Sequence, residues 1–153
     1  MVHVRRSRPL PTRPLPTFLG PKATGVLQSG GLPMNVELRK EYRFEAAHFL
    51  PKVPAGHKCA RMHGHSYRVE LALVGPVDPE TGWLIDFSAI DELWEPIFRQ
   101  FDHHVLNEVP GLENSTCENL AIYVWRALRP TLPGLSAVTI WETSDGCCTY
   151  RGA

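Results

Sequence analysis

A chain of 153 residues, 43% hydrophobic and 21% charged, suits a single soluble domain with a real core. No apolar run approaches the roughly 18 to 20 residues that span a bilayer. The net charge is zero but uneven: residues 1–33 carry Arg5, Arg6, Arg8, Arg13 and Lys22 and no acid, which leaves 11 basic and 16 acidic side chains for the rest. A mildly acidic domain lacks the basic stripe of a nucleic-acid binder.

Residues 1–33, rich in Pro, Gly, Arg and Ser, show no periodicity and are expected to be disordered. They have no secretory core, and their prolines argue against an amphipathic transit peptide. Met34 is then a candidate for the true start, with 34–153 as the folded domain. The even positions Val36, Leu38, Tyr42, Phe44, Ala46 and His48 alternate with mostly charged odd ones, which predicts a strand with one buried face. A Pro/Gly loop follows over 51–62. His65, Tyr67, Val69, Leu71 and Leu73 alternate again, predicting a second strand over 63–75. The stretch 76–83 reads as a turn.

The period then changes. Ile90, Leu93, Trp94, Ile97, Phe98 and Phe101 form an amphipathic helix stripe, with Asp86 or Ser88 as cap. Pro96 is expected to kink that helix or limit its first part. Ser115-x-x-Glu118 reads as a capping box opening a second helix, with Ala121, Val124, Trp125 and Leu128 as its apolar stripe. "LSAVTIWET" and "CCTYRG" close the chain as two short strands. The order is β-β-α-α-β-β.

Two residues apart on a strand, His63 and His65 point to the same face. The intervening Gly64 leaves room for an ion. If the first two strands pair, His48 supplies a third ligand, and three imidazoles with an open fourth position make a catalytic rather than a structural zinc site. Against this stands a cluster of satisfied histidines at a strand end. Cys59 leaves two alternatives open: a fourth ligand that closes the site, or a thiol beside the ion, acidified by the metal, Lys58 and Arg61. Asp102 and His103 suggest a carboxylate tuning an imidazole, provided the helix end bends enough for adjacent side chains to meet. A solvated helix terminus is the competing reading, and His104 is indistinguishable from His103. Glu142, after an apolar strand, reads from the residues alone as an exposed acid, although a carboxylate there can accept two N–H bonds from a flat heterocycle. The four cysteines, Cys59, Cys117 and the adjacent Cys147 and Cys148, are expected to be reduced thiols of a cytoplasmic protein.

"FEAAH", "GHKCARMHGHSYRVEL", "TGWLIDFSAI", "DHHVLN", "PGLENSTCENLA" and "WETSDGCCTYRG" occur in this order. Together they make the chain closely similar to the 6-pyruvoyltetrahydropterin synthase superfamily, from about Val36 to the end. The short Cys-x3-His-x-His spacing resembles its 6-carboxytetrahydropterin (queuosine-pathway) branch. The resemblance implies an α+β T-fold: a four-stranded antiparallel sheet with two helices on one face. It implies homo-oligomeric barrels with active sites at subunit boundaries. It implies zinc on His48, His63 and His65, Cys59 as a catalytic thiol that is not a ligand, and Asp102 with His103 as an acid–base pair. Glu142 would anchor the pterin of a dihydroneopterin triphosphate substrate, helped by Thr116. Cys117 departs from the family, which more often has Ser or Thr there. The alternatives are a pyruvoyl-type synthase and a non-catalytic zinc- or pterin-binding protein.

Overall fold

In the computed structural model, residues 34–152 are described. The expected disorder of residues 1–33 and the start at Met34 fall outside, or at the edge of, that range. Strands β1 (Asn35–His48) and β2 (His63–Pro76) form a long antiparallel hairpin, and β3 (Leu135–Trp141) and β4 (Cys147–Tyr150) extend it in the order β1-β2-β3-β4. Helices α1 (Phe87–Phe101) and α2 (Cys117–Leu128) lie between the two halves in sequence. This is the predicted element order and sheet. No helix among the described residues is long and apolar enough to cross a membrane.

The alternation dictates which face is covered. Phe44 and Ala46 of β1 and Tyr67, Val69, Leu71 and Leu73 of β2 are buried with Val138 and Ile140 of β3. Ile90, Trp94, Ile97 and Phe101 of α1 and Leu120, Ala121, Val124 and Leu128 of α2 cover them. Aromatic rings tie the layers: Tyr42 stacks on Trp94 at 4.7 Å, and Phe44 on Tyr67 at 4.8 Å. The opposite face carries charge, with Arg39 paired to Glu37 and Glu70, Arg68 paired to Glu41, and the Arg68 guanidinium 3.8 Å above the Trp141 ring.

Three local details refine the sequence reading. Pro96 neither ends nor splits α1, which runs unbroken to Phe101. Pro96 and Glu92 are exposed, so the carbonyl that loses its helical partner faces water. The α1 cap is Asp86, whose side chain accepts from Ser88 N. At α2 the cap moves by one residue: Thr116, not Ser115, accepts from Asn119 N. Ser115 is fully buried and serves the site described next.

Candidate metal centre and acid–base pair

The hairpin register places His48 directly opposite His63 and Ala46 opposite His65. All three imidazoles therefore lie on the helix-covered face at one end of the sheet, and their ligand atoms fall within 4.8 Å of one another. Gly64 has a different job from the one expected. Its missing side chain would point to the other face, where a Cβ would stand 3.3 Å from the Ala46 carbonyl oxygen. It allows the two strands to approach at the site; it does not make room for an ion.

Hydrogen bonds settle which nitrogen of each ring is available. His48 Nδ1 lies 2.9 Å from the Ser115 carbonyl oxygen, and His63 Nδ1 lies 2.7 Å from that of Arg61. A carbonyl only accepts, so Nδ1 carries the proton in both rings and Nε2 presents a lone pair. Yet His48 Nε2 and His63 Nε2 are 3.1 Å apart. Glu142 Oε1 is 3.0 Å from His48 Nε2 and 3.5 Å from His65 Nε2. His65 Nε2 is buried with no hydrogen-bond partner. Burial holds the His65 imidazole below its ordinary range; Glu142 opposes this, and His48 and His63 reinforce it. Lone pairs and a carboxylate converging on one point, with an orphaned nitrogen among them, match a cation. A tetrahedral ion with bonds of about 2.0–2.1 Å sets its ligand nitrogens about 3.3 Å apart, close to the 3.1 Å between His48 Nε2 and His63 Nε2. The three histidines fit a metal ion, with backbone carbonyls fixing two of the rings from behind.

Glu142 is half-buried, not an exposed acid. Its Oε1 reaches the Nε2 atoms of His48 and His65. Cys59 sits in a short turn (Lys58–Ala60) whose backbone is fixed by Leu50 N–H donating to the Cys59 carbonyl at 2.8 Å. Its sulfur is not among the clustered ligand atoms.

The chain leaving β1 is held from outside the hairpin. Asn107 Oδ1 accepts from Phe49 N, and its amide donates to the carbonyls of Phe49 and Glu113. That side chain replaces a strand partner for the residue after His48. Asn107→Ala strands a part-buried N–H and two carbonyls and should cost about 2–3 kcal/mol, read as a lower denaturation midpoint with unchanged slope.

Asp102 and His103 form the pair that a straight helix would forbid. Asp102 caps α1 in an extended conformation, and His103 has φ of 59°, a left-handed value that histidine tolerates better than bulky or β-branched residues. This turn brings His103 Nδ1 to 2.8 Å from Asp102 Oδ2. Both residues are pinned to β1: Asp102 Oδ1 accepts from Glu45 N, and His103 N donates to Glu45 O. The Glu45 N–H, then the His103 ring, hold the Asp102 carboxyl below the usual range. His104 turns its ring back onto the Asp102 carbonyl. A cavity of about 460 Å³ is lined by both His65 and His103, while Cys59, Thr116 and Glu142 do not line it. Cys117 is used inward. Its thiol donates to the Ile140 carbonyl at 3.1 Å, and burial pushes it up to about 12.

The sequence reading missed Ser115 and Arg61 as carbonyl partners of the ligands, and Tyr67 beneath them. Backbone acceptors leave no residue-type signal. Tyr67 reads in sequence only as a core position.

Residues 37–153 match the family model described as 6-pyruvoyl tetrahydropterin synthase. A protein of Synechocystis sp. named 6-carboxy-5,6,7,8-tetrahydropterin synthase is 36% identical over 117 residues, covering 72% of this chain and 89% of that one. A Bacillus subtilis protein of the same name is 31% identical over 131 residues, covering 78% and 87%. The solved structure of Caenorhabditis elegans 6-pyruvoyl tetrahydropterin synthase superposes with a TM-score of 0.74 at 30% identity, covering 80% of this chain and all of that one. The chain belongs to the 6-pyruvoyl tetrahydropterin synthase family.

Proposed function

We propose that the protein is a zinc-dependent carbon–carbon lyase of the 6-carboxytetrahydropterin type. It converts 7,8-dihydroneopterin triphosphate to 6-carboxy-5,6,7,8-tetrahydropterin with release of acetaldehyde and triphosphate, an early step of queuosine biosynthesis. The observation that carries the reading is the convergence of His48, His63 and His65 with their Nδ1 or burial already committed, beside a separate thiol and a separate Asp–His pair. The names of the two relatives above favour the carboxy product.

Zinc on the three histidines supplies Lewis-acid polarisation of the substrate's side-chain oxygens. The chain's own residues do the rest. Cys59 is the base that removes a proton from the substrate's side-chain carbon. His103 Nε2 exchanges protons with the side-chain oxygens, while Asp102 fixes the tautomer at Nδ1. Elimination of triphosphate leaves two side-chain carbonyls; a water molecule then adds its OH to the one next to the pterin, and the carbon–carbon bond breaks to leave the carboxylate and, with a proton delivered to the departing carbon, acetaldehyde. Glu142, at the open corner of the cluster, accepts paired N–H donors from the pterin, and Thr116 at the start of α2 flanks it. Membership of the family favours a homo-oligomer in which neighbouring subunits complete each site. Four free cysteines suit the cytoplasm.

Zinc must displace protons from these imidazoles. Burial disfavours the charged form of His65, which helps binding at neutral pH; affinity falls as pH drops through the imidazole range, about tenfold per unit for each ligand still to be deprotonated. A chelator-competition titration from pH 8 to 5 measures it; a flat profile contradicts a histidine site.

The test of function is an incubation of zinc-loaded protein with dihydroneopterin triphosphate, scored for acetaldehyde and product mass. Acetaldehyde with a carboxylated pterin is expected. Triphosphate release with all side-chain carbons retained moves the protein to the pyruvoyl type, as in the Caenorhabditis elegans neighbour's name. Binding without turnover removes it from the enzymes.

A further inference from the structure

Two buried side-chain polar atoms among the described residues have no hydrogen-bond partner: His65 Nε2 and the Tyr67 hydroxyl. The metal reading accounts for the first and not for the second. A neutral phenol is a poor ligand, and Tyr67 is only 1% exposed, so bulk water does not satisfy it. Its ring lies 5.5 Å from His65 and 6.0 Å from His48, centre to centre. The hydroxyl therefore needs an acceptor that the ligand-free arrangement does not offer it.

Glu142 poses the complementary problem. Its Oε1 stands 3.0 Å from His48 Nε2 and 3.5 Å from His65 Nε2, the corner a fourth ligand would take. A carboxylate left there would close the site, and a catalytic ion needs that corner open. Arg68 pairs with Trp141 and Val69 with Ile140 in the β2–β3 ladder. The ladder ends there; Glu142 is the next residue after Trp141, and its contacts with His48 and His65 put its side chain on the face that carries Tyr67.

We propose that Tyr67 is a positioning residue that receives Glu142 when a metal ion is bound: its hydroxyl donates to one carboxylate oxygen and draws Glu142 off the fourth coordination corner. Both oxygens keep a lone pair for the paired N–H donors of the substrate. Glu142 thus has two stations, one capping the empty histidines and one on Tyr67, and the second opens the metal. This rests on the metal reading above.

Cobalt(II)-loaded protein, titrated with azide and followed by its visible spectrum, reports whether the fourth corner is open, independently of turnover. Tyr67→Phe keeps the 4.8 Å ring stack on Phe44 and removes only an unpaired hydroxyl, so its melting temperature without metal should be equal or higher. It should bind azide at least tenfold more weakly than wild type, because Glu142 stays on the metal. Tyr67→Phe combined with Glu142→Ala should restore azide binding. Azide affinity in Tyr67→Phe within twofold of wild type overturns the proposal. So does weak azide binding that persists in the double variant, since the effect would not pass through Glu142. Wild-type protein that takes up no cobalt or zinc overturns the metal reading itself, a result distinct from either.

Discussion

Cys59→Ala is expected to abolish turnover while leaving the zinc content at one per subunit. The turn that carries Cys59 is built from backbone contacts: Leu50 N–H donates to its carbonyl at 2.8 Å, and its own N–H donates to His57 Nδ1 at 3.1 Å. The sulfur holds none of this, so alanine preserves the loop. The clustered ligand atoms are the three imidazoles without the thiol, so metal stays. Loss of a positioned base costs about 10²–10⁴ in rate, and no other thiol can take over. Cys117 has its thiol committed to the Ile140 carbonyl, and Cys147 and Cys148 stand on β4. Acetaldehyde release measures the rate and elemental analysis the zinc. A metal-free Cys59→Ala protein would make the thiol a ligand.

His65→Ala should remove both metal and turnover, and it is the cleanest of the ligand substitutions. His48 is fully buried and donates to the Ser115 carbonyl, so its removal leaves a void and an unpaired acceptor whether or not metal matters. His63 holds the Arg61 carbonyl in a similar way. His65 has an orphaned Nε2 and no hydrogen bond to lose. Without metal, the variant loses ring packing against His48, His63 and Tyr67 but strands no hydrogen-bond partner, so it should melt only slightly below wild type. With zinc added, wild type should gain stability in proportion to the logarithm of ligand over dissociation constant, and His65→Ala should gain almost nothing. Removing one of three ligands is expected to weaken binding by at least about 100-fold, beyond what loss of a supporting partner alone does. A zinc-induced rise equal in both proteins would place the metal elsewhere.

Much of this was legible because alternation is a strong code. Even positions from Val36 to His48 and odd positions from His65 to Leu73 announce one buried face, and the register that pairs His48 with His63 follows once the two strands form a hairpin. The Asp102–His103 pair was legible only as a condition. Residue types suggested it, but whether adjacent side chains meet depends on the left-handed turn at His103, which no residue there demands. The α2 cap slipped by one because Ser115 and Thr116 are equally good caps locally. Burial of Ser115 against His48, a contact across 67 residues, decides between them. Glu142 was misjudged from its residues alone for the same kind of reason. Its partners lie on β1 and β2, and nothing in "WETS" points to them. Pro96 shows the reverse: it does not end α1, because its face looks outward and the Glu92 carbonyl it leaves unpaired meets water.

The central claim is that the three histidines hold zinc and the thiol does not. X-ray absorption at the zinc edge of the loaded wild-type protein tests it without substitution or substrate. A shell of nitrogen and oxygen alone, at about 2.0–2.1 Å with imidazole scattering, is the predicted result. A zinc–sulfur distance of about 2.3 Å would contradict it, closing the site with a cysteine and removing both the open corner and the base from the proposed reaction.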